Sequence, residues 1–69
     1  QERELFGRNV RRIRESKGWS QDMLSEKSGL HRTYISGIER GARNPTIEVV
    51  FKIAKALEIK TSSLFSDED

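Results

Sequence analysis

Residues 28–41, SGLHRTYISGIERG, carry polar side chains where a core helix would carry leucines. Two of these residue types can recognise bases of nucleic acid. An arginine can donate two hydrogen bonds to a guanine, and the methyl group of a threonine can contact the methyl group of a thymine. They stand next to each other as Arg32 and Thr33. Ser36 and Gly37 follow one turn later and are small enough to permit close approach to a base. This pattern predicts a surface that contacts base edges.

No group of residues in the sequence matches a catalytic or metal centre. His31 is the single histidine and the chain has no cysteine, so the clustered ligands of a zinc site are missing. No nucleophile is accompanied by a base and an orienting residue, and no glycine-rich loop carries the lysine of a phosphate cradle. We therefore expect no enzymatic activity, no metal and no cofactor.

Length and charge narrow the class of partner. A chain of 69 residues, 33% of them hydrophobic, is one small domain with one compact core. Its formal net charge is +2, but three acids, Asp67, Glu68 and Asp69, lie at the very end. Without them 13 basic residues face eight acidic ones, a charge of +5, which attracts polyanions. We expect a folded domain over residues 1–65 and an acidic disordered tail, or the start of a linker, over 66–69.

Membrane and targeting segments are not expected. The longest apolar runs are two or three residues, whereas a bilayer-spanning helix needs about 20. The start of the chain shows no signal-peptide core. We therefore predict a soluble, cytoplasmic protein with no membrane partner. Because Gln1 stands where methionine would begin a chain, we expect the natural start to lie upstream.

Apolar periodicity and capping residues predict helices throughout, without a strand. The first helix buries Phe6, Val10 and Ile13 and ends at Gly18. The second begins at Ser20 as N-cap, with Trp19 packing on Leu24, and Gly29 ends it in a left-handed conformation. The inward residues expected of the fourth helix, which Thr46 caps, are Ile47, Val50, Ala54 and Leu57. With a last helical turn over 61–65, we predict a compact all-α fold of five helices.

The second and third helices, joined by a short turn at Gly29, form a helix-turn-helix. In such a motif the second helix can enter the major groove. One face of that helix must anchor it to the body, and Ile35 and Ile38, with Leu30 before them, provide the anchor. The remaining residues are then left facing outward: His31, Arg32, Thr33, Ser36 and Gly37.

At this point the sequence resembles the lambda-repressor-like helix-turn-helix proteins, also called the XRE family. The matching stretches are SQDMLSEKSGL, YISGIERG, NPT and IAKALEI followed by LF. The likeness extends over about residues 6–65, and within the family HRTYISGIERGARNPT looks most like the small controller proteins of restriction-modification systems. The resemblance implies a sequence-specific regulator of transcription, a repressor or autoregulator, that binds double-stranded DNA with a recognition helix at about 32–40.

The resemblance also assigns roles to positions of this chain. Base contacts are implied for the outward residues of the third helix, Arg32, Thr33, Ser36 and Gly37. Phosphate contacts are implied at the capped start of the second helix and around the third helix: Ser20, Gln21, His31, Tyr34, Arg40, Arg43 and Asn44. His31 stands where relatives often carry a better N-capping residue. Glu39, which could be mistaken for a catalytic acid, is implied to pair with Arg14 and orient the third helix.

One recognition helix reads few base pairs, so we expect a homodimer on a pseudo-palindromic operator. For its interface we predict the border of the fourth helix and the C-terminal turn: Val49, Ala56, Leu64 and Phe65. The alternative is a protein-binding module of the same fold, such as an antitoxin or coactivator, because fold alone does not determine function.

Overall fold

The computed structural model describes residues 2–67, which form four α-helices and one short 3-10 helix. They are α1 Glu2–Ser16, α2 Gln21–Ser28, α3 Arg32–Glu39, α4 Ile47–Leu57 and the 3-10 helix Thr61–Phe65. No strand occurs within residues 2–67, so the all-α prediction is confirmed. The predicted helical turn over 61–65 is present as a 3-10 helix, in which the Ser63 N–H donates to the Lys60 carbonyl at 3.0 Å, so residues 2–67 contain four α-helices rather than five. Of the predicted tail, Glu68 and Asp69 lie outside the described residues.

The helix boundaries follow from capping residues that the sequence displays. The Ser20 hydroxyl accepts the Met23 N–H at 3.1 Å, and the Thr46 hydroxyl accepts the Val49 N–H at 3.2 Å. Gly29 ends α2 with φ at 78°, a left-handed value that glycine adopts without steric cost. Both N-caps and the left-handed end of α2 are therefore confirmed.

A single apolar core holds the helices together. Every helix contributes to it, with Leu24 from α2 and Ile35 and Ile38 from α3 at 0% exposure. Within residues 2–67 the buried apolar side chains are Phe6, Val10, Leu24, Ile35, Ile38, Ile53, Ala54, Leu57 and Leu64. The predicted anchoring of α3 through its two isoleucines is thus confirmed.

The inward face of α4 differs from the prediction at its first turn. Ile47 is 76% exposed, whereas Ile53 is 0% exposed. The buried stripe of α4 begins a turn later, with half-buried Val50, and continues through Ile53, Ala54 and Leu57 at the spacing i, i+3, i+4, i+7. Ile47 instead lies at the rim of a shallow surface groove that Phe65 also lines. The prediction that Ile47 points inward is wrong.

Close contacts of Gly7 and Asn9 help to attach α1 to the rest of the domain. A Cβ built on Gly7 would lie 2.0 Å from the Ile38 carbonyl oxygen, so the approach of α1 to α3 requires glycine. The Asn9 side-chain amide donates to the carbonyls of Leu64 at 3.0 Å and Ser66 at 2.9 Å. These contacts place α3 on one side of α1 and fix the C-terminal 3-10 helix to it. Within residues 2–67 no helix has the length and apolar character to cross a bilayer.

Candidate nucleic-acid interface

The turn between α2 and α3 is short and internally bonded. The Gly29 N–H donates to the Ser25 carbonyl at 2.9 Å, and the Ser25 hydroxyl donates to the Leu30 carbonyl. Residues 29–31 therefore turn the chain directly into α3, which begins at Arg32. This is the geometry that presents the second helix of a helix-turn-helix to solvent.

The first turn of α3 is exposed opposite its anchored face. His31 occupies the N-cap position, and its side chain makes no capping hydrogen bond. Arg32 and Thr33 are exposed, while Ile35 and Ile38 on the other side are completely buried. The start of α3 thus combines backbone N–H groups without a side-chain cap and an exposed arginine, an arrangement suited to an anionic, hydrogen-bonding partner.

Arg32 is held by a residue of α2. Its Nε lies 3.2 Å from Oδ1 of Asp22, and the side chains are 58% and 79% exposed. Asp22 is in the first turn of α2, where a negative charge is favourable. Periodicity does not single out this contact, although Asp22 is the second residue of α2 and Arg32 is the first residue of α3.

The two arginines that follow α3, Arg40 and Arg43, lie back against that helix. The Arg43 guanidinium carbon is 5.0 Å from the centroid of the Tyr34 ring. A Cβ built on Gly37 would lie 2.9 Å from Arg43 Nε, so the Arg43 side chain covers Gly37. Arg40 Nη1 donates to the Ser36 hydroxyl at 2.6 Å. In this structure Gly37 is buried, and a base could reach it only after Arg43 had moved.

The other end of α3 is fixed by a buried charge. Glu39 accepts from Arg14 Nε at 2.7 Å, from Arg14 Nη2 at 2.9 Å and from the Gln21 amide at 3.0 Å. Arg14 Nη1 donates to the Trp19 carbonyl at 2.7 Å. The hydrogen bonds to Glu39 raise the pKa of Arg14 and outweigh the opposing effect of burial. Arg14 is therefore a structural cation, and Gln21 lies beside it at the start of α2.

The remaining sequence-predicted phosphate residues lie at the edges of this surface. Ser20 and Asn44 are exposed, Ser20 before α2 and Asn44 in the loop after α3. The Ser20 hydroxyl is already used as the N-cap of α2. Together with α3 these residues form what we call the α3 face, defined by Ser20, Gln21, Asp22, His31, Arg32, Thr33, Tyr34, Ser36, Arg40, Arg43 and Asn44.

The residues predicted for a dimer interface differ in their exposure. Leu64 is 0% exposed, and Val49 and Ala56 are half-buried and pack on the core. Leu64, in the 3-10 helix, therefore offers no surface to a partner, and Val49 and Ala56 on α4 offer only part of theirs. Of the predicted set, Phe65 remains accessible, at 42% exposure, and its ring stacks on Phe6 at 5.2 Å.

Sequence reasoning missed two large apolar residues of α4 that face solvent. Ile47 is 76% exposed and Phe51 is 59% exposed, both on α4. Ile47 and Phe65 line the groove of about 190 Å³ beside Pro45. The sequence did contain one indication of this: Phe51 is an aromatic residue outside the apolar arc of α4, which suggests that it faces solvent. We call Ile47, Phe51 and Phe65 the exposed apolar set.

A short bonded turn and an anchored helix with a polar outer face define a helix-turn-helix domain of the DNA-binding type. The helix-turn-helix model HTH_3 matches residues 10–64, and the chain belongs to this XRE-type family. The chain is 51% identical over 61 residues to the control protein C.BamHI of Bacillus amyloliquefaciens, covering 87% of this chain and 75% of that protein. Relatives of this kind are transcriptional regulators rather than enzymes.

Solved structures agree with this assignment. The restriction-modification controller protein C.AhdI from Aeromonas hydrophila is 43% identical, with a TM-score of 0.88 over 91% of this chain and 96% of that one. The controller protein C.Esp1396I, solved as a tetramer with its natural 35 base-pair operator, is 43% identical with a TM-score of 0.84, covering 91% and 83% of the two chains. The predicted family and the helix-turn-helix fold are confirmed.

Proposed function

We propose that this chain is a sequence-specific regulator of transcription, a repressor or autoregulator, that binds double-stranded DNA with α3 in the major groove. One observation carries the proposal: Arg32 and Thr33 are exposed at the start of a helix whose other face, Ile35 and Ile38, is fully buried. A helix held in this way can present its polar face to base edges without losing its place in the core. Its relative C.Esp1396I, seen with its operator, supports the proposal.

The roles within the α3 face follow from chemistry and position. Arg32 would donate to O6 and N7 of a guanine, and Thr33 would contact a thymine methyl. Ser36 would read a base one turn later, with Gly37 reached only if Arg43 is displaced. Phosphate contacts, which set register and orientation, are proposed for the surrounding residues Ser20, Gln21, His31, Tyr34, Arg40, Arg43 and Asn44.

We propose that a second copy of the chain completes the DNA-binding unit. Useful specificity requires two half-sites about one helical turn, roughly 34 Å, apart. The exposed apolar set, Ile47, Phe51 and Phe65, replaces the predicted interface, because such side chains lose unfavourable contact with water when a second copy covers them. Phe65 is the one residue common to both sets. Because double-stranded DNA is its proposed target, we propose that the protein acts in the cytoplasm.

The experiment is a selection of randomised duplex DNA on the purified chain, followed by titration of the enriched duplex at several salt concentrations. We expect a motif with two related half-sites and a log-log salt slope that grows by about 0.9 for each phosphate contacted. Absence of a motif, with weak and equal binding to all duplexes, would favour the protein-binding module and reject the regulator.

A further inference from the structure

The contact between Asp22 and Arg32 joins the two helices of the helix-turn-helix at the surface. Arg32 Nε lies 3.2 Å from Asp22 Oδ1, and this approach is outside the core, with both side chains more than half exposed. Asp22 is therefore the acid of α2 that meets the residue proposed to read a guanine.

The atoms involved leave the arginine able to recognise a base. A guanidinium carries five N–H donors, four of them on the two terminal nitrogens. Asp22 contacts Nε, the inner nitrogen, so these four lie beyond the atom that it contacts. Guanine offers O6 and N7 as neighbouring acceptors in the major groove, which two of these donors can reach together.

The same contact restricts the freedom of a long side chain before DNA arrives. A free arginine loses rotamer entropy when a base immobilises it, and a side chain already restrained loses less. We propose that Asp22 is a specificity-determining positioning residue, which orients Arg32 toward guanine. This inference rests on the proposed function, because it requires Arg32 to read a base.

The charge of Asp22 should also lower the affinity for DNA of any sequence, and this effect can be measured separately from the preference for guanine. A carboxylate close to the DNA surface repels phosphates whatever the sequence. Its removal is therefore expected to strengthen binding to unrelated duplexes while weakening the preference for guanine. A residue that acted only through its charge would change affinity for all duplexes by the same factor.

The test measures the ratio of two dissociation constants by fluorescence anisotropy. One duplex is the selected site, and the other differs at the base pair where Arg32→Ala relaxes the preference. We expect Asp22→Asn to lower this ratio about two- to fivefold, the range that an exposed ion pair allows. Asp22→Glu keeps a carboxylate within reach and should retain most of the ratio.

Two controls separate positioning from charge and from folding. Glu26→Gln removes the same charge one turn further along α2 and should leave the ratio unchanged. In the Arg32→Ala background, Asp22→Asn should have no effect on the ratio. Asp22→Asn should lower the melting temperature by a few degrees at most, because this side chain is 79% exposed.

The outcomes distinguish the inference from the function on which it rests. If Arg32→Ala relaxes the preference but Asp22→Asn does not, the positioning role of Asp22 is rejected and the regulator stands. Equal shifts on both duplexes by Asp22→Asn and Glu26→Gln also reject it, in favour of simple repulsion. If no duplex is selected, or Arg32→Ala changes no base preference, both proposals fail.

Discussion

Arg14 and Glu39 connect α1 to α3 through a two-pronged ion pair, with Nε to Oε2 at 2.7 Å and Nη2 to Oε1 at 2.9 Å. The side chains are 9% and 3% exposed. Gln21 donates to the same carboxylate at 3.0 Å, so one buried charge joins residues of three helices. The end of α3 is thereby fixed relative to the start of α2, which sets the angle at which the α3 face meets a partner.

Loss of this pair is expected to destabilise the fold. Glu39→Gln leaves the Arg14 cation buried without its counter-charge, and we predict that the free energy of unfolding falls by about 3 to 5 kcal/mol. Urea titration followed by circular dichroism measures this change. Glu15→Gln is the matched control, since Glu15 is 53% exposed and 3.9 Å from Arg14, and its effect should stay below about 1 kcal/mol. Similar losses of stability for both variants would contradict a particular contribution of the buried Arg14–Glu39 pair.

A second stability prediction concerns the approach of α1 to α3. In Gly7→Ala the new methyl group would lie 2.0 Å from the Ile38 carbonyl oxygen, which is backbone and can move only with its helix. We expect a loss of about 1 to 3 kcal/mol in the same titration, despite the better helix propensity of alanine. Arg8→Ala, at the exposed neighbouring position, should change stability by no more than about 0.5 kcal/mol. A neutral or stabilising Gly7→Ala would contradict the packing described.

Local features of the fold were predictable because they depend on residues close in sequence. The N-caps Ser20 and Thr46 and the left-handed Gly29 each satisfy backbone groups within a few residues, and a short window of sequence contains all the partners. The anchors Ile35 and Ile38 were predictable for a similar reason, since helical periodicity alone puts them on one face.

Features that depend on distant parts of the chain were not predictable. Ile47 and Ile53 are both isoleucines of α4, and only the position of the neighbouring helices decides which one is covered. Within the candidate site the residue types of α3 were visible in the sequence. The contacts of Arg32 with Asp22 and of Arg43 with Tyr34 depend on side-chain placement between elements, about which periodicity carries no information.

The proposed dimer surface makes a prediction about oligomeric state. Phe51 is 59% exposed, so Phe51→Lys should leave the fold intact while placing a charge in the proposed interface. We expect sedimentation equilibrium to show a dimer for the wild type and a monomer for this variant. Leu64→Ala serves as the contrast: because Leu64 is fully buried, we expect a loss of about 2 to 5 kcal/mol in stability without a specific loss of self-association. A dimeric Phe51→Lys would exclude Phe51 from the interface.

The substitution Gly37→Ala tests whether Arg43 contacts DNA, without destabilising α3. Alanine at this position should preserve or raise stability, by up to about 1 kcal/mol, because α3 gains helix propensity. Its Cβ would displace the Arg43 side chain, with 2.9 Å to Nε, and we expect DNA affinity to fall on the order of tenfold as a charged contact is lost. Anisotropy titration and thermal melting give the two values. In the Arg43→Ala background Gly37→Ala should change affinity no further; an additional loss there would mean that Gly37 contacts DNA itself.

The most direct test of the central claim, that α3 reads base edges through Arg32, is titration of the selected duplex and its single-base-pair variants with wild type and Arg32→Ala. Arg11→Ala is the charge-matched control, since Arg11 pairs with Glu15 on α1 at 3.1 Å. We predict that Arg32→Ala removes about 1 to 3 kcal/mol of discrimination at one position of each half-site, while Arg11→Ala leaves every preference in place. Uniform weakening of all duplexes by Arg32→Ala would instead make Arg32 a phosphate contact and contradict base readout by this helix.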